Sequence, residues 1–234
     1  MKNRVFYFGV AFFSVLVFVI GMFGKKSYIN CGIGDVVSVP DLENVEIRQA
    51  GMIGYSPQNS DEVEERTYNS FLEHEAEYVE DTLSAPIIVK VIPTGRISIA
   101  SDSIGQEVQI LEVIKGGENI ISGDQCYIYY FGALSTRSGQ VCSEMSCNIM
   151  YEEWEYYLFL EPSDLNEYQD EKIYWYYSLP FLSCIRVGGP DTRAISVDEL
   201  SRNYSEFKEL AFFAVSDRIV SVIENIRKSL LDSI

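Results

Sequence analysis

A single histidine, His74, stands in the run Glu73-His74-Glu75-Ala76-Glu77-Tyr78. A zinc-protease helix needs a second histidine four residues on, so that both rings leave one helical face toward the metal. Tyr78 holds that position, and His74 reads as a solvated side chain among carboxylates. The lone histidine also argues against Ser/His/Asp and Cys–His catalysis, which would have to recruit it from an acidic stretch. Ser205-Glu206-Phe207-Lys208 has the S-x-x-K form without its companion motifs. No nucleophile elbow, P-loop, dinucleotide fingerprint or EF-hand loop occurs. Glu152, Glu153 and Glu155 around Trp154 come closest to acid/base chemistry, since two carboxylates at suitable separation can cleave a glycosidic bond. The expectation is a protein with no catalytic residues, no cofactor and no metal. A glycosidase-like surface hydrolase using paired carboxylates is the alternative.

Five cysteines are present. In an exported domain Cys126, Cys142, Cys147 and Cys184 would form two disulfides in one of three pairings, leaving Cys31 over. Cys142 and Cys147 bracket a short loop that such a bond could close. A four-thiolate metal site would need paired C-x-x-C knuckles, which are missing. In a reducing compartment the same residues would be buried free thiols.

Aromatic side chains give the strongest binding signal. Tyr127 and Tyr129 lie on one strand-like segment, and Tyr174, Trp175, Tyr176 and Tyr177 on another. Strand alternation puts Ile173, Trp175, Tyr177 and Leu179 on a core face and Tyr174 and Tyr176 on the other. Tyr127, Tyr129, Tyr174, Tyr176 and Trp154 are therefore the candidate contacts for a glycan or protein partner.

These residues have to be positioned by the rest of the chain. Residues 5–24 form an uncharged apolar run, with Lys2 and Arg4 before it and Lys25 and Lys26 after it. At about 1.5 Å per residue a helix of that length spans roughly 30 Å, a bilayer's hydrocarbon thickness. The run is longer than a signal-peptide core and lacks a good cleavage site, so an uncleaved N-terminal transmembrane anchor is expected. A cleaved, secreted form is the alternative. The positive-inside balance places the C-terminal part outside the cell membrane. The net charge is −17, and the part beyond the anchor is more acidic still, because Lys2 and Arg4 precede it. Such a surface repels nucleic acid, and no nucleic-acid partner is expected.

Residues 25–84 read as an acidic, partly helical spacer. From Pro86 the texture becomes β-branched and apolar. Strands are expected over 86–92, then 105–115 with a bulge where the alternation changes phase between Ile110 and Leu111, then 126–131, 155–161 and 173–179. Pro93-Thr94-Gly95 reads as a turn. After residue 190 the tail reads as helical. Ser196 to Glu199 has capping-box form, and Ile219, Val222, Ile223, Ile226 and Leu230 recur on one helical face.

The order of the β segments resembles netrin-like (tissue-inhibitor-of-metalloproteinase-type) domains, which are OB-fold barrels. The resemblance rests on Ala85-Pro86-Ile87-Ile88-Val89, Val108-x-Ile110-x-x-Val113-Ile114-Lys115-Gly116, Gly123-Asp124-x-Cys126-x-Ile128 and Trp154 to Leu160. The chain is also similar to anchored surface proteins of Gram-positive bacteria that add helices after such a barrel. The inhibitors of this family reach zinc through an N-terminal C-x-C; here Cys31 is followed by Gly32-Ile33, and no inhibitor residue carries over. The resemblance implies a fold that is mainly β with C-terminal helices, a small OB-like (netrin-like) β-barrel preceded by one N-terminal transmembrane helix. The expected divisions are 1–24 anchor or signal, 25–84 spacer, 85–190 barrel and 191–234 C-terminal helical segment. The expected role is that of an exported, membrane-anchored cell-surface protein with a non-catalytic binding function, with a structural part in an envelope assembly as a further alternative.

Overall fold

A computed structural model describes residues 38–234 apart from 44, 59, 100–102, 118–119, 132–133, 138–139, 165–171 and 189–192. The expected anchor at 5–24 and Cys31 lie outside the described residues. Among the described residues no helix is long and apolar enough to cross a membrane.

In chain order the elements are β1 (Glu46–Gln49), α1 (Ser60–Glu73), α2 (Glu75–Leu83), β2 (Ile87–Ile99), β3 (Ser103–Lys115), β4 (Gln125–Phe131), β5 (Leu134–Arg137), β6 (Gln140–Ser143), β7 (Tyr156–Pro162), β8 (Ile173–Tyr176), α3 (Pro180–Ser183), β9 (Cys184–Arg186), β10 (Ser201–Asn203) and α4 (Asp217–Leu231). The chain is mainly β, built on a five-strand closed barrel with a C-terminal helix.

The barrel runs β2-β3-β4-β8-β7 and closes through β7 onto β2, with β4 and β8 parallel and the other neighbours antiparallel. Closure gives β2 and β7 hydrogen-bonded neighbours on both edges and removes the exposed ladder that invites edge pairing. One edge of β7 pairs with β2 from Ile87↔Leu160 to Val91↔Tyr156. The other edge is shared by β8 and β9, at Leu160↔Tyr176 and Leu158↔Cys184. Pro180 sets the offset between them: it cannot extend a central strand and instead starts the short helix α3, so β8 stops at Tyr176 and not at the expected Leu179. Leu158, Phe159 and Leu160 are all fully buried because β7 is covered on both faces.

The bulge expected at Ile110/Leu111 is present. Lys90 pairs Glu112 and Val91 pairs Ile110, leaving Leu111 as the extra residue. The turn expected at Pro93-Thr94-Gly95 is not a chain reversal. β2 continues through it to Ile99, and the register shifts between Pro93 and Ile97, with Gly95 at φ +86. A glycine at positive φ bends a strand without ending it, which sequence punctuation alone does not distinguish from a turn.

A second sheet, in the order β10-β1-β6-β5, joins distant parts of the chain. β1, inside the segment read as spacer, pairs in parallel with β6 (Ile47↔Val141) and antiparallel with β10 (Ile47↔Arg202). Of the capping box expected at Ser196 the Glu199 half is present, the Ser196 N–H donating to Glu199 Oε2 at 3.1 Å, while the Glu199 N–H donates to the Ser196 carbonyl at 2.9 Å. This half-box opens only a single helical turn, Val197–Glu199, before β10. The long helix of the tail is α4, and the five residues expected on its apolar face are all buried.

Residues 145–150 make neither helix nor strand, yet Met145, Cys147, Asn148, Ile149 and Met150 are all buried. Buried irregular backbone needs partners for its polar groups, and two amide side chains supply them. Gln106 of β3 donates from Nε2 to the Met150 carbonyl at 2.9 Å and accepts the Met150 N–H at Oε1 at 2.7 Å. Asn148 donates from Nδ2 to the carbonyls of Phe207 (3.0 Å), Lys208 (3.1 Å) and Leu210 (2.7 Å). Its Oδ1 accepts the Ile149 N–H at 2.9 Å and the Tyr204 hydroxyl at 3.0 Å. This strap fastens the barrel to the tail. Around it Phe71, Phe181 and Phe212 form one aromatic row, with ring centroids 5.8 and 6.2 Å apart, and Tyr204, Phe207 and Phe213 another, at 5.7 and 5.6 Å.

Candidate functional site

On β4 the inward residues Cys126, Ile128 and Tyr130 are buried, and Tyr127 and Tyr129 between them face outward, half-buried. β8 runs beside β4 in parallel, with Tyr129 paired to Trp175. The three rings form a ladder on the outer barrel wall. Centroids lie 6.3 Å apart for Tyr127 and Tyr129 and 5.6 Å apart for Tyr129 and Trp175, both pairs tilted. Gly105 of β3 stands opposite Tyr129 and explains how its ring lies down across the sheet. A Cβ at Gly105 would sit 2.6 Å from Tyr129 Cζ, so any other residue there would push the ring off the wall. At one end of the ladder Lys172 Nζ meets Asp124 Oδ2 at 2.7 Å.

The structure changes the list of aromatic contacts. Tyr174 and Tyr176 are buried, and Trp175 takes the outward position. The face assignment made from β8 alone is thus reversed. Tyr176 stacks on the inward Tyr130, with centroids 5.3 Å apart, so the core claims the tyrosines and the ladder gains the tryptophan. Alternation fixes that neighbouring residues oppose one another, but not which parity faces inward. Trp154 belongs to another cluster. The Arg186 guanidinium carbon lies 3.1 Å from its ring centroid, the Tyr151 ring lies tilted beside it at 5.4 Å, and Lys208 Nζ sits 4.9 Å from the Tyr151 ring. A cation already covers one face of Trp154. Of the nearby carboxylates, Glu155 is held by Lys90 at 2.6 Å, and Glu152 lies against Gly95.

Cys126, Cys142, Cys147 and Cys184 are all buried free thiols, not disulfides. Cys126 and Cys142 belong to different sheets, while Cys147 on the strap and Cys184 on β9 share the surroundings of Tyr176 and Arg227. Burial pushes the Cys126 thiol from the ordinary 9.0 up to about 12 and Cys184 up to about 11, and it raises Cys147 as well. At pH 8 these thiols are protonated and poorly nucleophilic. A thiol-exchange reagent is expected to label none of the four in the native protein and all four after denaturation. Rapid native labelling of any of these four, or a shortfall among them after denaturation without reductant, would contradict the free-thiol assignment.

The same shifts carry a pH dependence. These thiols hold their protons more tightly folded than unfolded, so above the unfolded value the native state binds more protons. Their contribution is complete below about pH 9 and is lost as pH rises toward about 12 for Cys126. The melting temperature, followed by circular dichroism, should fall steadily above pH 9.

No protein-family model matches the chain, and no curated protein matches its sequence.

Proposed function

We propose that this chain is an exported, membrane-anchored cell-surface protein whose barrel is a non-catalytic binding module of the OB-like, netrin-like kind, its four described thiols shielded from oxidants by burial and not by pairing. The strand order supports the OB-like part: three strands in a meander, then a fourth that pairs back with the first, and a fifth parallel to the third. The netrin-like kinship rests on the sequence segments described above.

The outward ladder Tyr127–Tyr129–Trp175 carries the binding reading. It lies on the third barrel strand, β4, and the parallel fifth, β8, with Gly105 of the second strand beneath the Tyr129 ring. Tilted rings on a rigid wall offer apolar faces for stacking against sugar rings, and they need little ordering on binding. The acidic excess disfavours polyanions, so the ligand class is a neutral glycan chain.

Co-sedimentation of the full-length protein with insoluble neutral polysaccharides tests this. Trp175→Ala and Tyr129→Ala should each weaken binding by at least about fivefold while the chain stays folded, as expected for removing a central aromatic contact. Absence of binding by the parent, or binding by both variants as tight as the parent's, would overturn the glycan reading. Protease accessibility on intact cells tests export separately: digestion of the β-rich body from outside is the expected result, and full protection would refute it.

A further inference from the structure

α1 and α2 are one nearly continuous rod with a bend at His74. The hydrogen-bond ladder continues across the bend, from the His74 N–H to the Ser70 carbonyl at 3.1 Å and from the Tyr78 N–H to the His74 carbonyl at 3.0 Å. The His74 ring nitrogen Nδ1 also lies 3.0 Å from the Ser70 carbonyl and competes for it, which accounts for the bend. One face of the rod is settled: Phe71 is buried, packing on Tyr78 and Phe181. Another face is uncovered by the described residues. Leu72, Ala76, Val79 and Leu83 follow one another at intervals of four, three and four residues, the spacing of a coiled-coil seam. Leu72 is 53% exposed and Ala76 is exposed. With Ser229 of α4 they line a groove of about 890 Å³.

The groove's rim is acidic. Glu73, Glu75 and Glu80 line it. Across the rod, Asp61, Glu62, Glu64, Glu65, Glu77 and Asp81 add carboxylates; the cations against them are Arg66 of the rod, Arg218, which pairs with Glu65 at 3.0 Å, and Lys115, which donates to the Leu83 and Ser84 carbonyls at one end of the groove. Seam spacing calls for a helix, and an apolar floor with a mainly acidic rim calls for a partner of mainly opposite charge. The same sign turns away anionic lipid headgroups.

We propose that this groove docks a basic amphipathic helix of a partner protein, with the partner's apolar stripe on Leu72, Ala76, Val79 and Leu83 and its Lys/Arg flanks against Glu73, Glu75 and Glu80. The groove shares no residue with the aromatic ladder, so this inference stands apart from the glycan reading.

The test uses the full-length chain and three labelled synthetic peptides of equal length. One carries leucines at seam spacing with lysines elsewhere, the second has the same leucines with glutamates, and the third scrambles the first. The leucine–lysine helix should bind, with affinity falling as salt is raised, and the glutamate and scrambled peptides should bind at least about tenfold more weakly. Leu72→Ser, at an exposed position, should lose most of the binding with its melting temperature kept. Glu73→Lys combined with Glu80→Lys should exchange the preference between the lysine and glutamate helices. Equal binding of the scrambled peptide, unchanged binding by Leu72→Ser, or self-association of the chain through this face in sedimentation would each overturn the proposal.

Discussion

Asn148→Ala is expected to destabilise the protein by about 3–5 kcal/mol, since it leaves several buried polar groups without partners at once. The Asn148 amide serves three carbonyls of residues 207–210 and accepts from the Ile149 N–H and the Tyr204 hydroxyl. The side chain is small, so lost volume contributes little and hydrogen bonding dominates. Asn148→Asp separates the two effects. It keeps the shape and replaces the donating nitrogen with an oxygen facing three carbonyls. Its stability should recover partly at low pH, where the protonated acid regains one donor. Urea denaturation of both variants at neutral and acidic pH measures this. A loss under about 1 kcal/mol for Asn148→Ala would mean that the strap is held by apolar packing instead.

Arg227 gives the second large effect, and here the size depends on the substitute. Its side chain is 1% exposed in the middle of α4. The guanidinium donates to the Cys184 carbonyl at 3.2 Å and to Glu224 Oε1 at 3.4 Å, and its carbon lies 5.3 Å from the Phe212 ring centroid. Burial pushes its pKa below the ordinary value, with Glu224 acting in the opposite direction. Arg227→Ala removes a large buried side chain and orphans the Cys184 carbonyl, at a cost of about 3–5 kcal/mol. Arg227→Met refills most of the volume and removes the desolvated charge but leaves the Cys184 carbonyl equally unpaired, so it should cost about 1–3 kcal/mol, less than alanine. Thermal melts of the pair decide the matter: if methionine is as damaging as alanine, the charge itself holds β9 to α4.

The barrel is legible in the sequence because each of its strands carries a local signature. β-branched runs mark β2 and β3, aromatic and leucine-rich runs mark β4 and β7, each near glycine or proline breaks, and the phase change at Ile110/Leu111 marks the bulge. The apolar stripe of α4 is equally local. What escapes is non-local. β1 is four residues long, flanked by acidic sequence, and is a strand only because β6 and β10 flank it. The strap has no periodicity, and its order comes from Gln106 and Asn148, residue types that elsewhere stand at the surface. The ladder was half visible: Tyr127 and Tyr129 stood out as aromatics on one strand. Trp175 did not, because only its neighbour β4 fixes which face of β8 points outward. Gly105 is the one overlooked signal, a glycine inside an otherwise well-formed strand that marks a ring lying across it.

The strap also sets a timetable for synthesis. Its acceptors lie at 207–210, and β1 waits for β10 from the far side of the sequence. A chain emerging N-terminus first can therefore close its barrel while the strap and the first strand still lack their final partners. Until the later segments arrive, those stretches stay open to proteolysis and to misplaced contacts, and the growing polypeptide acquires its full resistance only in one late step.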